Sequence, residues 1–105
     1  MTVVAAFCLL VLLAFPAIVS GWCLDDTDHD PNTRRKIDCR KNPDAAGSQR
    51  ACQSLCYAES WCQGTVWIGS PAHWVKGKYC CFLKDRYNPS ALKSQKHRRY
   101  CRRGY

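Results

Sequence analysis

Apolar positions are spread unevenly along the chain, and each cluster predicts something different. Val3 to Phe15 is an unbroken apolar run carrying Cys8, closed by Pro16, Ala17, Ile18, Val19, Ser20 and Gly21. It is shorter than the roughly 20 residues that cross a bilayer, and it ends in small residues suited to cleavage. Residues 1–20 are therefore read as a secretory signal peptide and residues 21–105 as a single domain with no stable membrane insertion. From 22 to 47 the large apolar residues are only Trp22, Leu24 and Ile37. Strands there are expected to be short, degraded or absent.

A helix is signalled from Gly47-Ser48 onward by Gln49, Arg50, Ala51, Gln53, Leu55 and Ala58, with Ser48 as N-cap. A spacing of four puts Cys52 and Cys56 on one face beside Leu55, so that face must turn inward. Trp61 and Cys62 follow the helix. Thr65-Val66-Trp67-Ile68, between Gly64 and Gly69, and Lys78 to Lys84, after Gly77, read as strands rich in β-branched and aromatic residues. The loop Ser70 to Lys76 between them carries Pro71, His73 and Trp74. Strand alternation would turn Cys80 and Cys81 to opposite faces, one bridging to the helix and the other to the far side of the sheet. Residues 51–83 form the expected packed centre, with Trp67 under the helix, flanked by a solvated acidic stretch and a basic C-terminal one. The fold class is α+β: a small disulfide-rich module with one helix packed on a short antiparallel sheet.

Composition sharpens this picture. With 105 residues there is room for one domain and little volume for a water-excluding cofactor cleft. Nine Cys in the chain become eight beyond residue 20: Cys23, Cys39, Cys52, Cys56, Cys62, Cys80, Cys81 and Cys101. An even number in so short a secreted chain predicts four disulfides formed in an oxidising compartment, each worth roughly 2–4 kcal/mol, which a core this small needs. A zinc site built from Cys52, Cys56, Cys80, Cys81 and His73 or His97 is disfavoured, because adjacent Cys80 and Cys81 lack knuckle spacing. No metal or other cofactor is expected.

The string Cys52-Gln-Ser-Leu-Cys56-Tyr-Ala-Glu-Ser-Trp-Cys62-Gln-Gly-Thr-Val-Trp-Ile, followed by Tyr79-Cys80-Cys81-Phe82-Leu83-Lys84-Asp85, resembles the core of PAN/apple domains. In that family a helix with Cys-x3-Cys leads through x5-Cys into a strand, and a later strand ends in Cys-x-Leu-Lys, matched here by Cys81 to Lys84. The resemblance covers about residues 48–85. Carried over by position, it implies bridges Cys52–Cys81, Cys56–Cys62 and Cys23–Cys101; Cys39 and Cys80, which have no counterpart in the pattern, are left for a fourth. It also implies a module that binds proteins or carbohydrates and is not catalytic.

Candidate chemistry is sparse. Asp25-Asp26-Thr27-Asp28-His29-Asp30 looks like a calcium loop, but counting from Asp26 the Gly position is Pro31 and the Glu position is Ile37. His29, His73 and His97 sit in polar contexts with no free Cys expected nearby, so no catalytic residue is assigned and no enzyme is expected. The formal charge of +8 is instead the main lead. It is concentrated after residue 84, where Lys96, Arg98, Arg99, Arg102 and Arg103 are taken as ligand-binding residues, held in a fixed patch if Cys101 is bridged. Trp74 is added as an exposed aromatic contact. Lys96-His97-Arg98-Arg99 and Arg34-Arg35-Lys36 also have the look of convertase sites. The expected partner is an extracellular protein or anionic carbohydrate rather than nucleic acid, bound by a secreted monomer. The alternative is a cationic toxin or host-defence peptide, against which the helix at 49–58 offers only Arg50 as a cation.

Overall fold

The computed structural model describes residues 21–104; the segment read as a signal peptide lies outside them. Five strands form one antiparallel sheet: β1 (Trp22–His29), β2 (Thr33–Asp38), β3 (Gly64–Ile68), β4 (Tyr79–Lys84) and β5 (Leu92–Arg102), in the order β1-β5-β3-β4-β2. Between β2 and β3 lie a short helix α1 (Pro43–Ala46) and the longer α2 (Gln49–Tyr57). The architecture is a small disulfide-rich α+β domain in which sheet predominates.

α2 starts where Ser48 was expected to cap it: its side chain accepts the Ala51 N–H at 3.1 Å. Cys52 and Cys56 are buried on the inward face. β3 and β4 match the two predicted strands closely. The first two strands, in contrast, are present and long, which corrects the expectation for 22–47. β2 owes little to apolar residues, since only Ile37 is buried, and is held by its pairing with β4. β1 pairs with β5 through opposite charges. Asp25 faces Arg99 and Asp28 faces Lys93, and carboxylates meet cations at Asp25–Arg99 (3.1 Å), Asp28–Arg98 (3.0 Å) and Asp30–Lys93 (3.3 Å). The acidic stretch is thus an edge strand, and Asp28 and His29 are buried rather than solvated.

Four disulfides are formed: Cys23–Cys101, Cys39–Cys80, Cys52–Cys81 and Cys56–Cys62, the pairing the resemblance implies. Simple alternation fails at Cys80, however. Ile37 faces Cys81 while Asp38 faces Tyr79, so Cys80 is the extra residue of a β-bulge. Both sulfurs therefore enter the same buried cluster, with Ile37, Ala46, Cys52, Cys56, Ile68 and Leu83. Cys80 Sγ lies 3.1 Å from the Ala46 carbonyl, which also accepts the Trp67 indole N–H at 3.1 Å. Trp67 packs against the helices as predicted.

A second cluster is aromatic, with His29 and Tyr100 buried at its centre. His29 stacks on Tyr100 at 5.2 Å, and Trp22 and Tyr87 close around them. His29 Nε2 accepts the Asn88 N–H at 3.0 Å while Nδ1 faces the Pro31 carbonyl at 3.2 Å, which fixes the hydrogen on Nδ1. Gly64 makes this packing possible. A Cβ there would lie 2.5 Å from Tyr100 Oη and 2.8 Å from the Cys101 carbonyl.

Two outcomes follow from this packing. Gly64→Ala should lower the free energy of unfolding by about 1–3 kcal/mol, read by denaturant titration of the oxidised protein, because backbone as well as side chain must shift. Arg103 donates from Nη1 to the carbonyls of Cys56 (3.3 Å), Glu59 (2.7 Å) and Cys62 (3.1 Å), gathering the chain around the end of α2. Arg103→Leu should cost about 1–3 kcal/mol in the same titration by leaving those carbonyls without their donor.

Candidate functional site

The structure disperses the C-terminal residues taken as a ligand patch. β5 threads between β1 and β3, which pair with its backbone on both sides, and, Leu92 apart, only its later residues from Arg98 on are part-buried or buried. Arg98 and Arg99 are ion-paired with Asp28 and Asp25. Arg103 is held by the α2 carbonyls, and the Arg102 guanidinium lies 4.3 Å above the Tyr87 ring. Lys96 alone of the five projects freely, from a segment where β5 leaves the β1 ladder between Arg99 and Ser94. In that segment His97 adopts φ +70°, donates its N–H to Asp26 Oδ1 at 3.2 Å and stacks its ring on His73 at 3.7 Å. Trp74 is partly buried against the core, with its indole N–H donated to the Ile68 carbonyl at 2.8 Å. Both convertase-like motifs lie within strands, β2 and β5.

Basic side chains come together elsewhere, around β2 and the start of β4. The path of the chain explains why. β2 is a sheet edge; after it, Asp38 Oδ1 accepts the N–H groups of Arg40 and Lys41 at 3.0 and 3.1 Å, folding the chain back along the same edge. On the other side, Lys76 and Gly77 both take positive φ in the turn that Val75 and Tyr79 close, which brings Lys78 to the start of β4. Gly77 supplies at no steric cost the conformation this turn needs.

The cations gathered here rest on rings. Arg34 lies 4.6 Å over Trp61, Lys36 and Lys78 lie 4.6 and 5.1 Å over Tyr79, and Arg40 lies 5.6 Å over Trp74 with its Nε–H donated to the Gly77 carbonyl. A trough of about 400 Å³ runs among Arg35, Lys36, Lys41, Lys78 and Tyr79, and a second of about 370 Å³ lies among Thr33, Arg34, Lys36 and Phe82. Two carboxylates are close by. Glu59 pairs with Arg35 at 3.6 Å, and Asp38, which lines the first trough, is engaged by the turn. Among the described residues Arg34, Lys36, Arg40, Lys41 and Lys78 have no ion-pair partner. The available signal was the charge of +4 over residues 34–50, and the lack of apolar residues there hid the strand that presents it.

Among the described residues no three His, Cys, Asp or Glu side chains stand close enough to hold a metal ion, and no helix is long and apolar enough to cross a membrane. Compared with family models, with curated proteins and with solved structures, the chain matches none.

One cation is different in kind. Lys84, at the end of β4, is buried and donates to Thr33 Oγ1 at 2.6 Å and to the Asp30 carbonyl at 3.2 Å. Burial pulls its pKa from 10.5 down to about 8, against the attraction of Asp28 and Asp30 and with a further push from Arg98. The folded state therefore releases this proton before the unfolded chain does. Below pH 8 the full cost of the buried ammonium is present, and stability rises as pH climbs from about 8 to 10.5. Thermal melts of the wild type and Lys84→Met should show the wild type gaining on the variant across that window. A constant difference between them would refute the assignment.

Proposed function

We propose that this protein is a secreted, non-enzymatic binding module of the PAN/apple-like kind, which captures an anionic extracellular ligand on the basic and aromatic surface around β2. Four disulfides in a small domain support an oxidising, extracellular setting. Their agreement with the pairing implied by the Cys-x3-Cys, x5-Cys and Cys-x-Leu-Lys pattern supports the PAN/apple-like reading.

The observation that carries the binding reading is the partition of charge. Lys93, Arg98 and Arg99 of β5 are paired with Asp30, Asp28 and Asp25, whereas Arg34, Lys36, Arg40, Lys41 and Lys78 have no such partner and lie together around β2 and the start of β4. Three rings, Trp61, Tyr79 and Trp74, hold four of these cations in place. Ordering before binding lowers the entropic cost of holding a ligand, and a field of one sign steers anions toward the surface. Arg and Lys donors suit sulfate, phosphate and carboxylate groups.

Retention on immobilised heparin, used as a generic polyanion, tests the location. Changing Arg34, Lys36, Lys41 and Lys78 to Gln should bring elution to markedly lower salt. Changing Arg50, Arg86, Lys93 and Lys96 to Gln removes as many charges elsewhere and should leave elution close to wild type. Equal shifts in the two variants would show that net charge alone governs retention, and would sink the site.

A further inference from the structure

Resting on the anion-binding reading, we infer that the β2 surface selects ring-borne sulfate monoesters over the corresponding phosphates. A sulfate monoester carries a single negative charge, whereas a phosphate monoester carries about −1.5 to −2 at pH 7, so Coulomb attraction to a basic surface would by itself favour phosphate. Three features of the site oppose that order.

The first is the state of the cations. Arg34 and Arg40 each have one guanidinium face over an indole, and Lys36 and Lys78 share the ring of Tyr79. Guanidinium is more weakly hydrated than ammonium, and ring faces displace further water from the cations lying on them. Such donors bind best to an anion that also gives up its water cheaply. A sulfate monoester sheds its hydration at lower cost than a phosphate near −2, because the cost of desolvating an ion rises steeply with its charge.

The second feature is the carboxylate inside the trough. Asp38 lines the larger cavity together with Lys36, Lys41, Lys78 and Tyr79, and its place is fixed by the Arg40 and Lys41 N–H groups. Its repulsion of a ligand scales with the ligand's charge, so it penalises a phosphate about twice as strongly as a sulfate at the same distance. Glu59 acts in the same sense from beside Arg35.

The third feature is the donor set. The trough is lined by cationic side chains on long stems, and the Arg40 and Lys41 backbone N–H groups beside it are already taken by Asp38, unlike the open nest of N–H groups that holds compact phosphates in phosphate-binding loops. Phe82, which lines the second cavity, supplies a ring face on which the body of the ligand can lie while its ester reaches Lys36, which lines both cavities. The chemistry recognised is therefore a planar or chair-shaped ring bearing one sulfate ester. In an extracellular setting either a sulfated sugar or an O-sulfated tyrosine carries that group.

The experiment uses matched ligands that differ only in sulfur for phosphorus: short peptides with sulfotyrosine or phosphotyrosine, and oligosaccharides with a 6-sulfate or 6-phosphate. Each is titrated at pH 7.5 into isotopically labelled, oxidised protein while the resonances of Lys36, Lys78 and Tyr79 are followed. At least one sulfate ligand should bind about threefold or more tightly than its phosphate twin, with shifts centred on those residues, and the tighter pair identifies the carrier. In the Lys36→Gln, Lys78→Gln double variant the preference should disappear. Tighter binding of both phosphates would overturn the sulfate assignment while leaving anion binding at β2 intact. If no ligand moves those resonances, and heparin retention ignores the β2 substitutions, both readings fall together.

Discussion

The bulge at Cys80 is the constraint from which the rest of this domain follows. A regular β4 would send its two adjacent sulfurs to opposite faces of the sheet, and only one could reach the helical side. The register shift between Ile37 and Asp38 turns both inward. One strand then ties α2 through Cys52 and the end of β2 through Cys39, with the Ala46 carbonyl of α1 wedged against the second bridge. A short chain with few large aliphatic residues is in this way given a covalent core. The same bulge turns Tyr79 outward beside Asp38, where its ring can seat Lys36 and Lys78. The device that secures the interior therefore also furnishes the surface.

Charge is organised by topology more than by composition. Inserting β5 beside β1 pairs the most basic stretch of the chain with the most acidic one, and the ion pairs between them remove both from the outer field. One pair, Asp28 with Arg98, is largely buried, and such a pair contributes specificity of register more readily than stability. At the opposite edge a cluster of cations stands without carboxylate partners. Cations along an edge strand also discourage pairing with other chains, so β2 is guarded by the same residues to which anion binding is assigned in the proposal.

What could be read from the sequence was what local physics decides. The Ser48 cap, the Cys52 and Cys56 face and the strands on either side of the Trp74 loop each follow from spacing or propensity within about ten residues, and each is found in the structure. β1, β2 and β5 were hidden because their stability comes from partners far away in the chain. Leu92 to Arg102 offers only Leu92, Tyr100 and Cys101 as apolar positions, and becomes a strand because Asp25, Asp28 and Cys23 lie opposite it. The partners of the C-terminal cations were hidden for the same reason. The charge of Arg98, Arg99 and Arg103 is visible in the sequence, whereas the carboxylates and carbonyls that engage it are not adjacent to it. Alternation misjudged Cys80 because a bulge is a property of two strands together.

The position of β5 has a consequence for how the molecule is made. The fifth strand among the described residues is an interior strand of the sheet, bonded on one side to the first strand and on the other to the third. Until it emerges, β1 has no neighbour and Cys23 has no partner, since the bridge that joins them spans 78 residues. The helical half, with Cys52, Cys56, Cys62, Cys80 and Cys81 already translated, can assemble earlier. The β1–β5 pairing and the Cys23–Cys101 bridge are thus the contacts of longest sequence separation, and closing them carries the largest loop-closure cost. Closure of the domain is therefore a long-range event, in which one bridge and one strand pairing join the two ends of the described residues.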